Sequence, residues 1–329
     1  MKLLKPIARI DPMEERIGFT PSYQSAKYAV DSDTRVSIGS RLDKYFEKQG
    51  FVEYYKGFSR TSRAITQRDI NAALARYKLK GIEFGQWVTN EDAYNYLAAL
   101  VVALDDMAKV LGWSNIGLDN MVGIAFGARG HGRALAHFEP RSYMINLTRY
   151  KRHVTDPFTG RVVKTAKTRR FSYTGGVGAL AHEYGHALDY FFGTFIDQSR
   201  GSLSLSGGRQ TNLIEHNTWP ANSLRWHMTS ILMAFQQTKS YQRLRDHLVK
   251  GGKSDSYWIR HNELWARLFE QWIGARMEEK GIANDFLHQN KYEKFAENKA
   301  PIYLTAAELK TIRPAVDKFI KAVAGQVKK

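Results

Sequence analysis

One short segment limits what this chain can fold into more than any other. Gly178–Phe192 is apolar nearly all round, interrupted only by His182, Glu183, His186 and Asp189. A helix of that composition belongs in the middle of a domain. Gly175 and Gly176 before it and Gly193 after it bound the segment. Polar side chains on a buried helix are costly unless each finds a partner. Residues four apart share one helical face, so His182 and His186 can aim both imidazoles at a single ion, which would satisfy them together.

Glu183 lies beside this pair, with room for a water between its carboxylate and the ion. Zinc lowers the pKa of a bound water to about 7, and a neighbouring carboxylate can take its proton as it attacks a carbonyl. The pattern therefore predicts a zinc-bound water activated by Glu183, the logic of metal-assisted amide hydrolysis. A catalytic site of this kind needs a third protein ligand and one open position. The run Asn262–Glu270 supplies candidates, since Glu263 and Glu270 stand two turns apart on one helical face. Glu263 is the favoured ligand and Glu270 the supporting carboxylate, with an ordinary charged stripe as the alternative. Asp189, three residues after His186, could accept an imidazole N–H, or cap a helix, or face solvent. Tyr257 could donate its hydroxyl to the oxyanion of hydrolysis. His131 and His137 are read as structural.

No cysteine is present, so thiolate metal sites and disulfides are excluded and a metal must be held by His, Asp or Glu. No apolar run is long enough to span a bilayer, and Pro6, Arg9 and Asp11 break any signal-like core at the start. The expectation is a cytoplasmic protein without membrane contact. The formal net charge of +17 is uneven. Residues 81–148 carry 4 basic and 7 acidic side chains, whereas 149–170 carry 8 basic and 1 acidic. Such flanks favour encounter with nucleic acid or another acidic partner, but a solvated basic surface is the commoner outcome.

Along the chain, residues 1–40 show no sustained periodicity, and short helices are expected at Ser40–Gln49 and Thr66–Tyr77, the latter capped by Thr66. Asn90 opens a strongly periodic helix closed by Gly112. Val122–Gly127, Ala134–Phe138 and Tyr143–Leu147 read as an antiparallel meander. Tyr143–Leu147 is either a sheet edge that pairs with an extended peptide or an ordinary core strand. Residues 198–220 read as an exposed loop. Further helices are expected at Ser223–Gln237, Tyr257–Lys280 and Ala306–Ala324, with Pro314 starting a helix rather than lying inside one.

The runs Gly81–Val88, Ile124–Gly130, Ala136–Pro140, Ile145–Thr148 and Ala181–Asp189 together resemble the first large polyvalent-protein-associated domain, over roughly residues 80–325. Such domains occur in proteins of bacteriophages and conjugative elements. The His182–His186 motif and Glu263–Phe269 are also similar to the metal helix and third-ligand helix of lethal-factor-like gluzincin toxins. The resemblance implies an α+β, zincin-like metallopeptidase with a short antiparallel sheet and a buried metal-binding helix. It further implies a protein of a mobile element, delivered with its DNA into a recipient cell. The expected division is a basic extension over 1–79 and the metallopeptidase-like domain over 80–329. Zinc is expected on His182, His186 and Glu263, with Glu183 as base, Tyr257 at the oxyanion and a protein or peptide as substrate. The contrasting expectation is a non-catalytic, zinc-stabilised accessory protein that associates with nucleic acid.

Overall fold

Local capping and periodicity settle the first elements. The computed structural model describes residues 63–85, 90–129, 136–147, 154–155, 162–163, 178–197, 203–250, 257–284, 286–288 and 302–327. Thr66 caps helix α1 (Gln67–Tyr77) through a reciprocal capping box with Asp69. Ile70, Ala73 and Tyr77 of α1 enter the same core as the rest of the chain. Strand β1 (Ile82–Phe84) follows, then helix α2 (Asn90–Leu111), which ends as expected at Gly112 in the left-handed region. The expected helix at 40–49 lies outside the described residues.

Strands β2 (Gly123–Phe126), β3 (Ala136–Glu139) and β4 (Met144–Leu147) join β1 in one sheet of order β1-β2-β4-β3. The sheet is mixed and not the expected antiparallel meander. β1 pairs with β2 and β2 with β4 in parallel, and only β3 runs antiparallel, against β4. A parallel pair needs a long crossover, and α2 provides it between β1 and β2. Alternation within a strand assigns faces but does not choose neighbours, so sequence spacing misassigned the pairing. The edge strands are consequently β1 and β3, while β4 is internal and wholly buried, which removes Tyr143–Leu147 as a free edge. One sheet face is aromatic: Phe84 and Phe126 stack at 5.2 Å, and Tyr96 of α2 meets Phe126 at 4.9 Å. The other face carries Glu83, Asn146, His137 and Glu139, set by the register. The basic insert contributes a small antiparallel pair, β5 (Val154–Thr155) with β6 (Val162–Val163), and its remainder lies outside the described residues.

Helix α3 (Leu180–Phe191) is the expected buried helix, and it runs on into a π-helical turn at Phe192–Ile196. Gly193 is required there, because a Cβ would stand 2.6 Å from the Leu205 backbone N. Ser204, Leu205 and Ser206 are buried against this turn, so the 198–220 stretch is not simply an exposed loop. Then come α4 (Leu224–Gln236) with Ser223 as N-cap, α5 (Lys239–Lys250), a 3-10 turn (Tyr257–Ile259), α6 (His261–Glu279) and α7 (Ala306–Val327). Pro314 lies inside α7, contrary to expectation. Pro314 and Lys310 are both exposed, so the carbonyl that loses its donor can turn to water. Among the described residues no helix is long and apolar enough to cross a membrane.

Helices α3 and α6 form the centre. Gly185 lets them approach: a Cβ there would lie 3.1 Å from the Phe269 ring and 3.3 Å from the Ala266 Cα. Its carbonyl accepts from the Trp265 indole N–H at 2.9 Å. Trp265, Leu268 and Phe269 are fully buried in this seam, each contributing about 1.5–3 kcal/mol by burial.

Candidate metal centre

The front of α3 is held without a side-chain cap. The chain that follows α6 meets one of its orphan N–H groups, Ala181 N donating to Leu287 O at 3.1 Å, and also the residue before the N-cap, Gly178 N donating to Phe286 O at 3.0 Å. His182 and His186 then project from one face, their rings 5.0 Å apart. Across the seam, α6 presents Glu263 from its first turn. The ligand atoms of His182, His186 and Glu263 all lie within 4.8 Å of one another. His182 Nε2 is 3.5 Å from Glu263 Oε2, and His186 Nε2 is 3.4 Å from Glu263 Oε1. Glu263 is therefore the acid that joins the two histidines, as the sequence favours.

Glu270 occupies the supporting place. It stands 3.4 Å from His182 Nδ1, the nitrogen turned away from Glu263 Oε2, so it can fix the ring's tautomer and orientation. Glu270 is itself held by the Tyr303 hydroxyl at 3.0 Å and flanked by His288 Nδ1 at 3.6 Å. Burial disfavours its charge, but His182 and His288 outweigh this and hold its pKa down at about 2. For His182, burial opposes the cation, while Glu263 and Glu270 push its pKa up to about 10. Burial raises the pKa of Glu183, against the pull of His182 and His186.

The fit to a cation rests on these groups. Glu263 Oε2 is buried and makes no hydrogen bond. A buried carboxylate oxygen in that state is costly, and two imidazole nitrogens converge on the same space. His, His and carboxylate are donors suited to zinc, and an ion there would give all three a partner.

Tyr257 reaches the cleft from the 3-10 turn before α6. Its ring is 45% exposed, but burial of its hydroxyl and the adjacent Glu263 carboxylate push its pKa up. Asp189 departs from expectation. It is fully buried and gives both oxygens to Ser206, at 2.8 Å to the backbone N–H and 2.6 Å to the hydroxyl, rather than to an imidazole. Burial first of all raises its pKa, to about 6. Its role is to tie the 203–206 segment to α3. His137 lies on edge strand β3, beside Glu139 at 3.4 Å, and its charge acts on Glu183. His131 lies outside the described residues. No sequence pattern points to Ser206, His288 or Tyr303, which join the site only through the tertiary fold.

Residues 249–327 match the model of the large polyvalent protein-associated domain 1 family, the family that the sequence motifs resemble. The matched residues contain Tyr257, Glu263 and Glu270, while the histidine pair lies upstream of them. No curated protein and no solved structure matches the chain.

Proposed function

We propose that the chain is a zinc-dependent, metallopeptidase-like hydrolase with a zincin-like arrangement, encoded by a phage or other mobile element. The observation that carries this reading is the convergence of His182, His186 and Glu263 with the buried Glu183 beside them. Zinc bound by these three side chains would supply a Lewis acid for a substrate carbonyl and ready a water for ionisation near neutral pH. Glu183 then takes the proton of the attacking water, a task favoured by burial, which makes it a stronger base than a solvated carboxylate. As the water oxygen bonds to the carbonyl carbon and the C–N bond breaks, Glu183 passes that proton to the leaving amine. The Tyr257 hydroxyl, kept protonated by burial and Glu263, donates to the oxyanion. Glu270, Tyr303 and His288 hold His182 in place meanwhile.

A purely structural metal site would have no use for Glu183, since no metal-holding geometry requires it. The family match supports the mobile-element origin, and the basic composition is compatible with work near nucleic acid. The test is elemental analysis of the purified full chain beside a His182→Ala variant, followed by cleavage of a mixed peptide pool. About one zinc per chain, lost in the variant, with peptide cleavage by the parent alone, is expected. A folded parent that takes up no metal when zinc is supplied would sink the proposal.

A further inference from the structure

Three arginines are buried in the described structure, and they differ in what meets their charge. Arg129 is held by Glu83 and Glu139. Arg225 donates to the carbonyls of Ser204 and Gly193 and lies 3.6 Å from the Asp197 carboxylate. Arg267, only 1% exposed, has no carboxylate within ion-pair distance among the described residues. One of its nitrogens, Nη2, donates to the Trp258 carbonyl, while Nε and Nη1 are buried with no hydrogen-bond partner. A guanidinium keeps its charge in proteins, so this is an uncompensated buried cation, an arrangement that folding alone does not favour.

Its place gives the charge a meaning. Arg267 is one helical turn beyond Glu263 on α6. Glu263 is turned to the histidines, and Glu270 to His182, His288 and Tyr303, so neither neighbouring acid neutralises it. Its guanidinium lies under the Tyr257–Ile259 turn, 5.7 Å from the Trp258 ring centroid, and its charge acts on the Tyr257 hydroxyl. Trp258 is 40% and Tyr257 45% exposed, so this turn is open to solvent. We propose that Arg267 anchors a carboxylate subsite beside the metal centre and selects peptides bearing an acidic group next to the scissile bond. The proposal rests on the metallopeptidase reading and names the substrate chemistry of that site. A substrate carboxylate would give the two unpartnered donors their acceptor and the cation its counter-charge.

The carboxylate can come from a peptide's C-terminus or from an acidic side chain, and the test separates them. The probes are three N-acetylated tripeptides: one with a free C-terminus, one with an internal glutamate and an amidated end, and one neutral and amidated. Binding is measured calorimetrically on the zinc-supplied full chain carrying Glu183→Gln, so that nothing is turned over. At least one acidic probe should bind about tenfold or more tightly than the neutral one, and Arg267→Gln should erase that preference. The acidic probe that prevails identifies the source. Equal binding of all three overturns the proposal, as does a preference that survives Arg267→Gln, which would mean that the metal takes the carboxylate. Arg267→Met guards against a folding artefact: it should melt at or above the parent temperature, and a clear drop would show the guanidinium to be structural. Failure of the parent to cleave peptides leaves these binding outcomes readable, so the hydrolase reading and this one fall separately.

Discussion

Two clusters of buried charge sit on neighbouring parts of the molecule and are built in opposite ways. Behind the sheet, Arg129 bonds Glu83 with two nitrogens at 2.8 Å each, Glu139 at 2.7 Å and the Ser142 hydroxyl at 3.1 Å. Asn146 closes the cluster by bonding the Arg129 backbone N–H and carbonyl. Short bonds to every charged group make this a strut joining β1, β3 and the turn after β2. Between α3 and α6 the contacts are longer, 3.4–3.5 Å from each imidazole to Glu263, and a carboxylate oxygen has no hydrogen bond. A finished polar cluster fixes architecture, whereas an unfinished one reserves room for something else. Residue type does not draw that distinction, since both clusters contain glutamates and a nearby histidine.

The comparison can be broken or sharpened in several ways. The largest effect is expected from Glu183→Gln, which should lower peptide hydrolysis by about a thousandfold or more while leaving zinc content unchanged. Cleavage at the parent rate by that variant would refute the assigned base. Arg129→Met should remove about 3–5 kcal/mol from unfolding stability in denaturant titration, because it strands Glu83 in the interior and takes a partner from the half-buried Glu139. If it costs under 1 kcal/mol, the sheet cluster is not a strut. Glu270→Gln should weaken zinc binding by about 10–100-fold in a chelator competition, with little change in melting of the zinc-free chain. Unaltered affinity would reduce Glu270 to packing.

The smallest expected effect concerns pH. Burial opposes the charge of Glu139, but His137, Ser142 and Arg129 prevail and hold its pKa down at about 2, from 4.5. A carboxylate depressed on folding contributes stability that is present above its unfolded pKa and is lost as pH falls through the folded one. Unfolding free energy should therefore decline between pH 4.5 and 2, with Glu139 accounting for something on the order of 2 kcal/mol. Glu139→Gln should flatten that decline, and an identical slope in the variant would show that the acid sensitivity lies elsewhere.

How much of this was legible in the sequence depended on how local each feature is. The Thr66 cap, the span of α2 and the histidine pair on α3 each depend on residues within a few turns, and the chain states them directly. Glu263 and Glu270 were both offered by the stretch after Asn262, and only the tertiary fold shows which of them faces both histidines. Helix α5 has a local signature of the same kind. Thr238 caps it, donating no bond forward but accepting from Tyr241 N at 3.1 Å, and Tyr241, Leu244 and Leu248 bury one face. The parallel pairing of β2 with β4 was not legible, since strands of four residues carry too little pattern to choose partners. Nor were Ser206 behind Asp189 or Tyr303 on Glu270, because a hydroxyl far along the chain leaves no periodic trace.

The division of the site between two distant stretches has a consequence for how the chain matures. His182 and His186 are made early and Glu263 later, and the carbonyls of Phe286 and Leu287 that hold the front of α3 later still. During synthesis the histidine pair leaves the ribosome without Glu263, and closing so long a loop makes assembly of the site a late event. On the proposed function, tight metal capture would thus mark a completed fold, and partly synthesised chains would lack the assembled site.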